Sequence, residues 1–154
     1  MLGLAKLMGG RKAFVAKLQK VFDEGLYDPA NEPDIAYPYL FSYFKGEEWR
    51  TAQIVSQLLD RHYTTEAAGL PGNDDTGTMS AWAVFSMMGL YPDCPGDPSY
   101  TLTTPRFDRI EINLDPKYCD GRDRLVITKG RHMKGRISHA DFVSGSKTLQ
   151  RASF

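Results

Sequence analysis

The sequence has no excess of charge, no long apolar run and little cysteine, and each absence excludes a class of protein. Lysine and arginine total 19, as do aspartate and glutamate, so the formal net charge of the 154 residues is zero. This balance leaves no electrostatic footprint for nucleic acid or for an anionic membrane surface. No apolar stretch is long enough to span a membrane, and Gly9, Gly10 and nearby charges break up any secretory signal pattern.

Cysteine and histidine are too few and too scattered for the common metal and nucleophile sites. Cys94 and Cys119 do not form a zinc-binding pattern with the three histidines. The cysteines predict either one disulfide or two free thiols. No serine or cysteine nucleophile motif accompanies a histidine, which argues against a catalytic triad.

Helical periodicity dominates the first part of the chain, where apolar side chains recur every three or four residues. The predicted helices cover residues 4–8, 13–22, 37–44, 47–59 and 79–90. Loops rich in glycine, proline, asparagine and aspartate separate them at residues 25–33 and 64–78. Trp82 belongs to a helix that is apolar on nearly all sides, so we expect it to be buried. Trp49, near a helix start, is also interpreted as a core residue.

Beyond residue 91 the pattern changes to that of strands. Prolines and glycines cluster at residues 92–98, and apolar and polar residues alternate afterwards. The predicted strands cover residues 110–114, 125–128 and 136–139. A turn or short helix is expected near Ala140, and the basic run 129–136 is interpreted as a solvated hairpin. Helices followed by strands predict an α+β chain with two regions, residues 1–91 and 92–154.

The loop before the last predicted helix carries the candidate chemistry. Asn73, Asp74 and Asp75 lie between glycines and lead directly into that helix. A fixed carboxylate at such a turn suits a general base or a site for a hard cation. The same residue types are common as turn and helix N-cap residues, so the spacing leaves both interpretations open.

An earlier loop carries a second set of oxygen donors. Asn31 and Glu32 precede Pro33. Together with the backbone carbonyl of Ala30 they form a partial set of the ligands that Ca2+ prefers. The alternative is a plain turn in which the Glu32 carboxylate is solvated.

Several short motifs follow one another in a fixed order. They are Asn31-Glu32-Pro33, Trp49-Arg50-Thr51, Leu70-Pro71-Gly72-Asn73-Asp74-Asp75, Met79-Ser80-Ala81-Trp82, Gly89-Leu90-Tyr91-Pro92 and Pro105-Arg106-Phe107-Asp108. The set resembles the C-terminal part of glycoside hydrolase family 92, the calcium-dependent, inverting α-mannosidases of bacteria, from near Gly3 to about Leu149. The resemblance implies the last helices of an (α/α)6 toroid, followed by β-strands of a β-sandwich subdomain. It also implies a periplasmic or secreted protein and a mannose-containing glycan as substrate.

The resemblance further implies roles for individual residues. It places the general base in the aspartate loop, where Asp75 is favoured, Asp74 is the other candidate and Asn73 would contact the substrate or support the base. It places Ca2+ and the sugar near Asn31 and Glu32. The family's catalytic acid is an upstream glutamate, and no glutamate of this chain stands in matching sequence. We therefore expect a fragment with negligible activity on natural mannosides.

Three hypotheses follow. The chain is part of an inverting exo-α-mannosidase that carries the base loop and lacks the acid, or it is a non-catalytic remnant that binds sugar or a partner chain. The third hypothesis, a self-contained α+β domain of unrelated function, requires the ordered motifs to be a coincidence. A partial toroid would leave apolar helix faces exposed, so we also expect homo-oligomers or poor solubility.

Overall fold

The computed structural model describes residues 1–129 and 135–144. Helices come first and strands second, which confirms the predicted α+β class. The α-helices are α1 (Leu2–Leu7), α2 (Arg11–Asp23), α3 (Glu48–His62), α4 (Thr78–Met88) and α5 (His139–Ser144). The strands are β1 (Leu90–Tyr91), β2 (Ser99–Leu102), β3 (Arg109–Asn113), β4 (Arg124–Thr128) and β5 (Arg136–Ser138). Short 3-10 helices cover Glu32–Asp34, Tyr37–Tyr43 and Asp75–Gly77.

The chain divides into two compact units, Met1–Ala83 and Val84–Phe154. The division falls inside α4, so the predicted boundary between residues 91 and 92 stays a prediction. The middle of the predicted hairpin, residues 130–134, and the C-terminal residues 145–154 lie outside the described residues. No helix in the described part of the chain is both long and apolar enough to cross a membrane.

The core of the first unit forms where α2 and α3 bury apolar stripes. In α3 the buried side chains recur at three- and four-residue spacing, as an amphipathic helix requires. The Phe14 ring of α2 lies 5.3 Å from the ring of Phe44, and Phe22 lies 6.0 Å from Phe41. The ring contacts join α2 to the aromatic 3-10 helix and the residue that ends it.

Trp82 and Trp49 have opposite environments. Trp82 is 1% exposed, donates its indole N–H to the Ile35 carbonyl at 2.9 Å and stacks on Tyr63 at 5.2 Å, which confirms the expected burial. Trp49 is 55% exposed, so its interpretation as a core residue is wrong. The physical reason is helix phase: the buried stripe of α3 includes Ile54 and Leu58, and Trp49 lies on the stripe that faces solvent.

The second unit contains two small antiparallel sheets, one with the order β1-β2-β5 and one formed by β3 and β4. The strands predicted from alternation are confirmed as β3, β4 and β5. The short strands β1 and β2 were not predicted, because the prolines and glycines between them indicated only a loop. Leu90 and Ile127 are fully buried and form the centre of this unit's core.

Gly89 ends α4 with a left-handed backbone, at φ 81°. Gly89 directly follows the last residue of α4, and its carbonyl accepts a hydrogen bond from Thr103 N at 2.8 Å. A Cβ at this position would lie 2.7 Å from the nitrogen of Pro105, so only glycine fits. Two of the family-like motifs therefore meet in space within the second unit.

Candidate functional site

The two loops that the sequence singled out touch each other within the first unit. A Cβ built on Gly72 would lie 2.7 Å from the Ala30 Cβ and 3.1 Å from the Ala30 Cα. Gly72 immediately precedes Asn73, and Ala30 immediately precedes Asn31. The structure therefore brings the aspartate loop against the Asn31–Glu32 loop, which spacing in the sequence did not establish.

The aspartate loop has an uncommon backbone. Thr76 adopts φ 52° and ψ 22°, inside the 3-10 helix Asp75–Gly77. A non-glycine residue with positive φ carries strain, and such residues concentrate at functional sites. The Asp75 carbonyl accepts hydrogen bonds from the hydroxyls of Thr76 at 2.7 Å and Thr78 at 2.6 Å, and Gly77 N donates to the Asp74 carbonyl at 2.7 Å. These bonds hold the loop backbone while leaving the Asp75 side chain out of the network.

Asp74 is committed to the start of α4. Its carboxylate accepts a hydrogen bond from Ser80 N at 2.8 Å and a second one from the Ser80 hydroxyl. The Ser80 hydroxyl, and then the Ser80 N–H, hold the pKa of the Asp74 carboxyl below its ordinary value. A carboxylate with a lowered pKa accepts a proton less readily, so these contacts suit a capping residue better than a general base.

Asp75 differs from Asp74 in its surroundings. Its carboxylate is exposed and accepts no hydrogen bond from the residues that the structure describes. A free carboxylate on a fixed backbone is available to bind and orient a water molecule. Neighbouring Asn73 is also exposed. The choice between the two aspartates, which the sequence left open, thus has a structural argument in favour of Asp75.

The Asn31–Glu32 loop is shaped by two further aspartates that the sequence pattern did not single out. Asp28 Oδ1 accepts a hydrogen bond from Ala30 N at 2.9 Å, and Asp34 Oδ2 accepts one from Asp28 N at 3.4 Å. The signal for the first was present, because an aspartate that bonds the backbone two residues later is a common turn former. Asn31 is exposed and Glu32 is half-buried.

The donor chemistry of this loop fits a hard cation only in part. The side chains of Asn31 and Glu32 offer oxygen ligands, which Ca2+ prefers, but Ca2+ takes six to eight of them. Among residues 1–129 and 135–144, no group of three or more histidine, cysteine, aspartate or glutamate side chains is arranged to hold a metal. The two residues therefore form an oxygen-donor set that needs further ligands, such as backbone carbonyls, water or substrate hydroxyls.

Comparison with known proteins identifies the same family that the ordered motifs of the sequence resemble. The protein-family model of the glycosyl hydrolase family 92 catalytic domain matches residues 1–148. An uncharacterized secreted glycosidase of Arthroderma benhamiae is 30% identical over 157 residues, covering 92% of this chain and 20% of that protein.

Solved structures with a similar fold include enzymes of the same family. A family GH92 α-mannosidase from Bacteroides thetaiotaomicron superimposes with a TM-score of 0.75 at 25% identity, over 87% of this chain and 21% of that one. An inverting mannosidase of the family from the same organism gives a TM-score of 0.73 at 24% identity, over 91% of this chain and 24% of that one. The chain thus spans about a fifth to a quarter of the length of these relatives, and it belongs to glycosyl hydrolase family 92.

Proposed function

We propose that this chain supplies the general-base side of a glycoside hydrolase site that acts on α-mannosides. The observation that carries the proposal is the contrast between the two aspartates. Asp74 is bonded twice to Ser80, and the adjacent Asp75 carboxylate is exposed and accepts no hydrogen bond within the described part of the chain. Membership of family 92 and the mannosidases among its solved relatives support the reaction class and a mannose-containing glycan as substrate.

Inverting hydrolysis assigns Asp75 a defined step. A general base removes a proton from the water that attacks the anomeric carbon, while an acid on the other face of the sugar protonates the leaving oxygen. The two carboxyl groups lie roughly 6.5–9.5 Å apart in such enzymes. Asp74 and Asp75 are consecutive, and Asp74 is bonded to Ser80, so Asp74 does not serve as the acid. We propose that the acid lies outside these residues.

Asn31 and Glu32 are proposed to bind Ca2+ together with the sugar. When bound, the cation would hold sugar hydroxyls and favour distortion of the ring toward the transition state. Glu32 supplies a negative charge and Asn31 a neutral carbonyl oxygen. Gly72 and Ala30 bring the loop before Asn31 against the loop that carries Asn73–Asp75, and we propose that one sugar unit contacts both loops.

A second candidate is a non-catalytic protein that binds sugar or a partner chain. The exposed leucines of α1, with Leu7 at 87% and Leu2 at 65%, favour it because they offer an apolar surface for association. For either candidate we propose a location outside the cytoplasm, since the relative from Arthroderma benhamiae is described as secreted.

Hydrolysis of an aryl α-mannoside with a good leaving group tests the proposal, because such a substrate needs little help from an acid. We expect slow turnover by the chain, reduced by about 10²–10⁴-fold in Asp75→Asn and far less in the matched variant Asp74→Asn. An unactivated mannoside should show negligible turnover. Equal activity of the wild type and Asp75→Asn would contradict the assignment of the base, and no turnover by the wild type would favour the non-catalytic candidate.

A further inference from the structure

A second concave surface lies on the first unit, between α2 and α3, and shares no residue with the two loops of the candidate site. It is a groove of about 300 Å³. Four of the α3 residues that line it lie four positions apart, Trp49, Gln53, Gln57 and Arg61. Arg50 and Ile54 of α3 and Gln19, Phe22 and Asp23 of α2 complete the lining. The volume is at the lower end of the roughly 300–1,000 Å³ typical of small-molecule sites, so it suits a ligand of one or two rings.

Trp49, Gln53, Gln57 and Arg61 form a single stripe on α3. They are spaced by four positions, which places them one above the other along one side of a helix. Trp49, at one end of the stripe, is 55% exposed. A large exposed indole beside a row of amides is an uncommon surface for a helix, because tryptophan is normally well buried.

One wall of the groove is held in place by a chain of hydrogen bonds. Arg50 Nε donates to Glu47 at 2.8 Å, and Arg50 Nη1 donates to Gln19 Oε1 at 2.7 Å. Gln19 Nε2 in turn donates to Asp23 at 2.8 Å. The Arg50 guanidinium also lies 4.5 Å from the Trp49 ring centroid, so it restrains the indole. Trp49 and Gln19 are therefore each held by a contact with Arg50.

The charges in and beside the groove nearly cancel. Arg50 is paired with Glu47, whose pKa is held below its ordinary value by the hydrogen bonds from Arg50 and then from Arg11, so this carboxylate stays ionised at neutral pH. Arg61 and Asp23 carry opposite charges. An anionic ligand would gain little from such a surface, whereas a neutral one avoids the cost of burying an unpaired charge.

We propose that this groove binds a neutral hexose unit of a glycan, as a second carbohydrate site separate from the candidate catalytic loops. Each glutamine amide offers both a donor and an acceptor, as each sugar hydroxyl does, so amides pair well with neighbouring hydroxyls. The free part of the Trp49 indole offers an apolar surface for the C–H face of a pyranose. Such a site would hold a glycan against the protein without acting on it.

The two tryptophans make the test direct, because the chain contains only Trp49 and Trp82. The indole N–H signals in a nitrogen–proton NMR spectrum should separate, since Trp82 is buried and bonded to Ile35 while Trp49 is exposed. The titration uses α-mannobiose and the full chain carrying Asp75→Asn, so that the disaccharide is not consumed. We expect a saturable shift of the Trp49 signal.

Variants test which groups carry the binding. The double variant Gln53→Ala/Gln57→Ala keeps the indole signal and should weaken the apparent affinity at least about tenfold. Ser56→Ala, on the same helix but outside the groove, should leave the affinity unchanged. A Trp49 signal that does not respond, that responds equally in the double variant, or that responds to inorganic phosphate and not to the disaccharide would overturn the proposal. None of these outcomes depends on hydrolysis, so they are distinguishable from a failure of the proposed base.

Discussion

Gly72 and Ala30 approach each other so closely that a Cβ on Gly72 would lie 2.7 Å from that of Ala30. The contact joins two loops that are far apart in sequence and that carry all the candidate site residues. It explains why glycine stands between Pro71 and Asn73 without any appeal to backbone conformation. The two loops are therefore close because Gly72 packs directly against Ala30, and a larger residue at position 72 tests this contact.

Gly72→Ala should destabilise the first unit by about 1–3 kcal/mol, because the added methyl group must displace the Ala30 backbone. Urea unfolding followed by tryptophan fluorescence measures this, since both tryptophans lie in the first unit. The matched control is Gly3→Ala in α1, where a Cβ meets nothing within 4 Å. That control should be neutral or stabilising by up to about 1 kcal/mol. Equal effects of the two substitutions would contradict the close contact.

Ser80→Ala should change how the free energy of unfolding depends on pH in the acidic range. The pKa of Asp74 lies below its ordinary value of 3.8 in the folded chain, so the ionised carboxylate stabilises the fold above that value. This contribution is lost as the pH falls through the lower, folded pKa. Removing the Ser80 hydroxyl should return the Asp74 pKa toward 3.8 and flatten the loss of stability in acid.

An NMR titration of the Asp74 carboxyl carbon measures that change, together with urea midpoints taken at several acidic pH values. The control is Ser56→Ala, which changes an exposed serine of α3. An Asp74 titration curve that is the same in both variants would refute the role of Ser80.

Calcium should raise the melting temperature of the chain in a saturable manner, because a ligand that binds only the folded state stabilises it by mass action. At 100 times the dissociation constant the gain is about 2.7 kcal/mol. Glu32→Gln should remove most of this gain by deleting the one charged ligand of the proposed set. The control Glu66→Gln changes an exposed carboxylate in another loop. If both variants respond to Ca2+ like the wild type, Glu32 is not a ligand.

Exposed leucines on α1 should drive self-association. Leu4 is 46% exposed and Leu7 is 87% exposed. Leu4→Ser/Leu7→Ser should lower the apparent molar mass measured by light scattering at high protein concentration, because less apolar surface is available for burial. Leu26→Ser, at a position that is 64% exposed outside α1, serves as the control. A wild-type chain that stays monomeric at every concentration would contradict the prediction.

The sequence by itself determined the positions of the helical segments, the strands β3, β4 and β5, and the family. Periodicity is a local property, so Ile110 and Ile112 could predict β3, and the apolar surroundings of Trp82 could predict its burial. The order of the motifs is likewise a property of the sequence alone. Asp75 could be named as the favoured base only through the resemblance, since turn and cap residues have the same composition.

Only the tertiary structure decided what depends on contacts or on the direction of a side chain. It showed that Asp74 is bonded to Ser80, that Trp49 is exposed and that β1 pairs with β2 across a proline-rich loop. Likewise, Asp93 and Arg136 form an ion pair at 3.0 Å that no spacing rule predicts. Local periodicity indicates which face of an element is apolar. The contacts of each residue depend on how the whole chain packs, and the candidate site depends on those contacts.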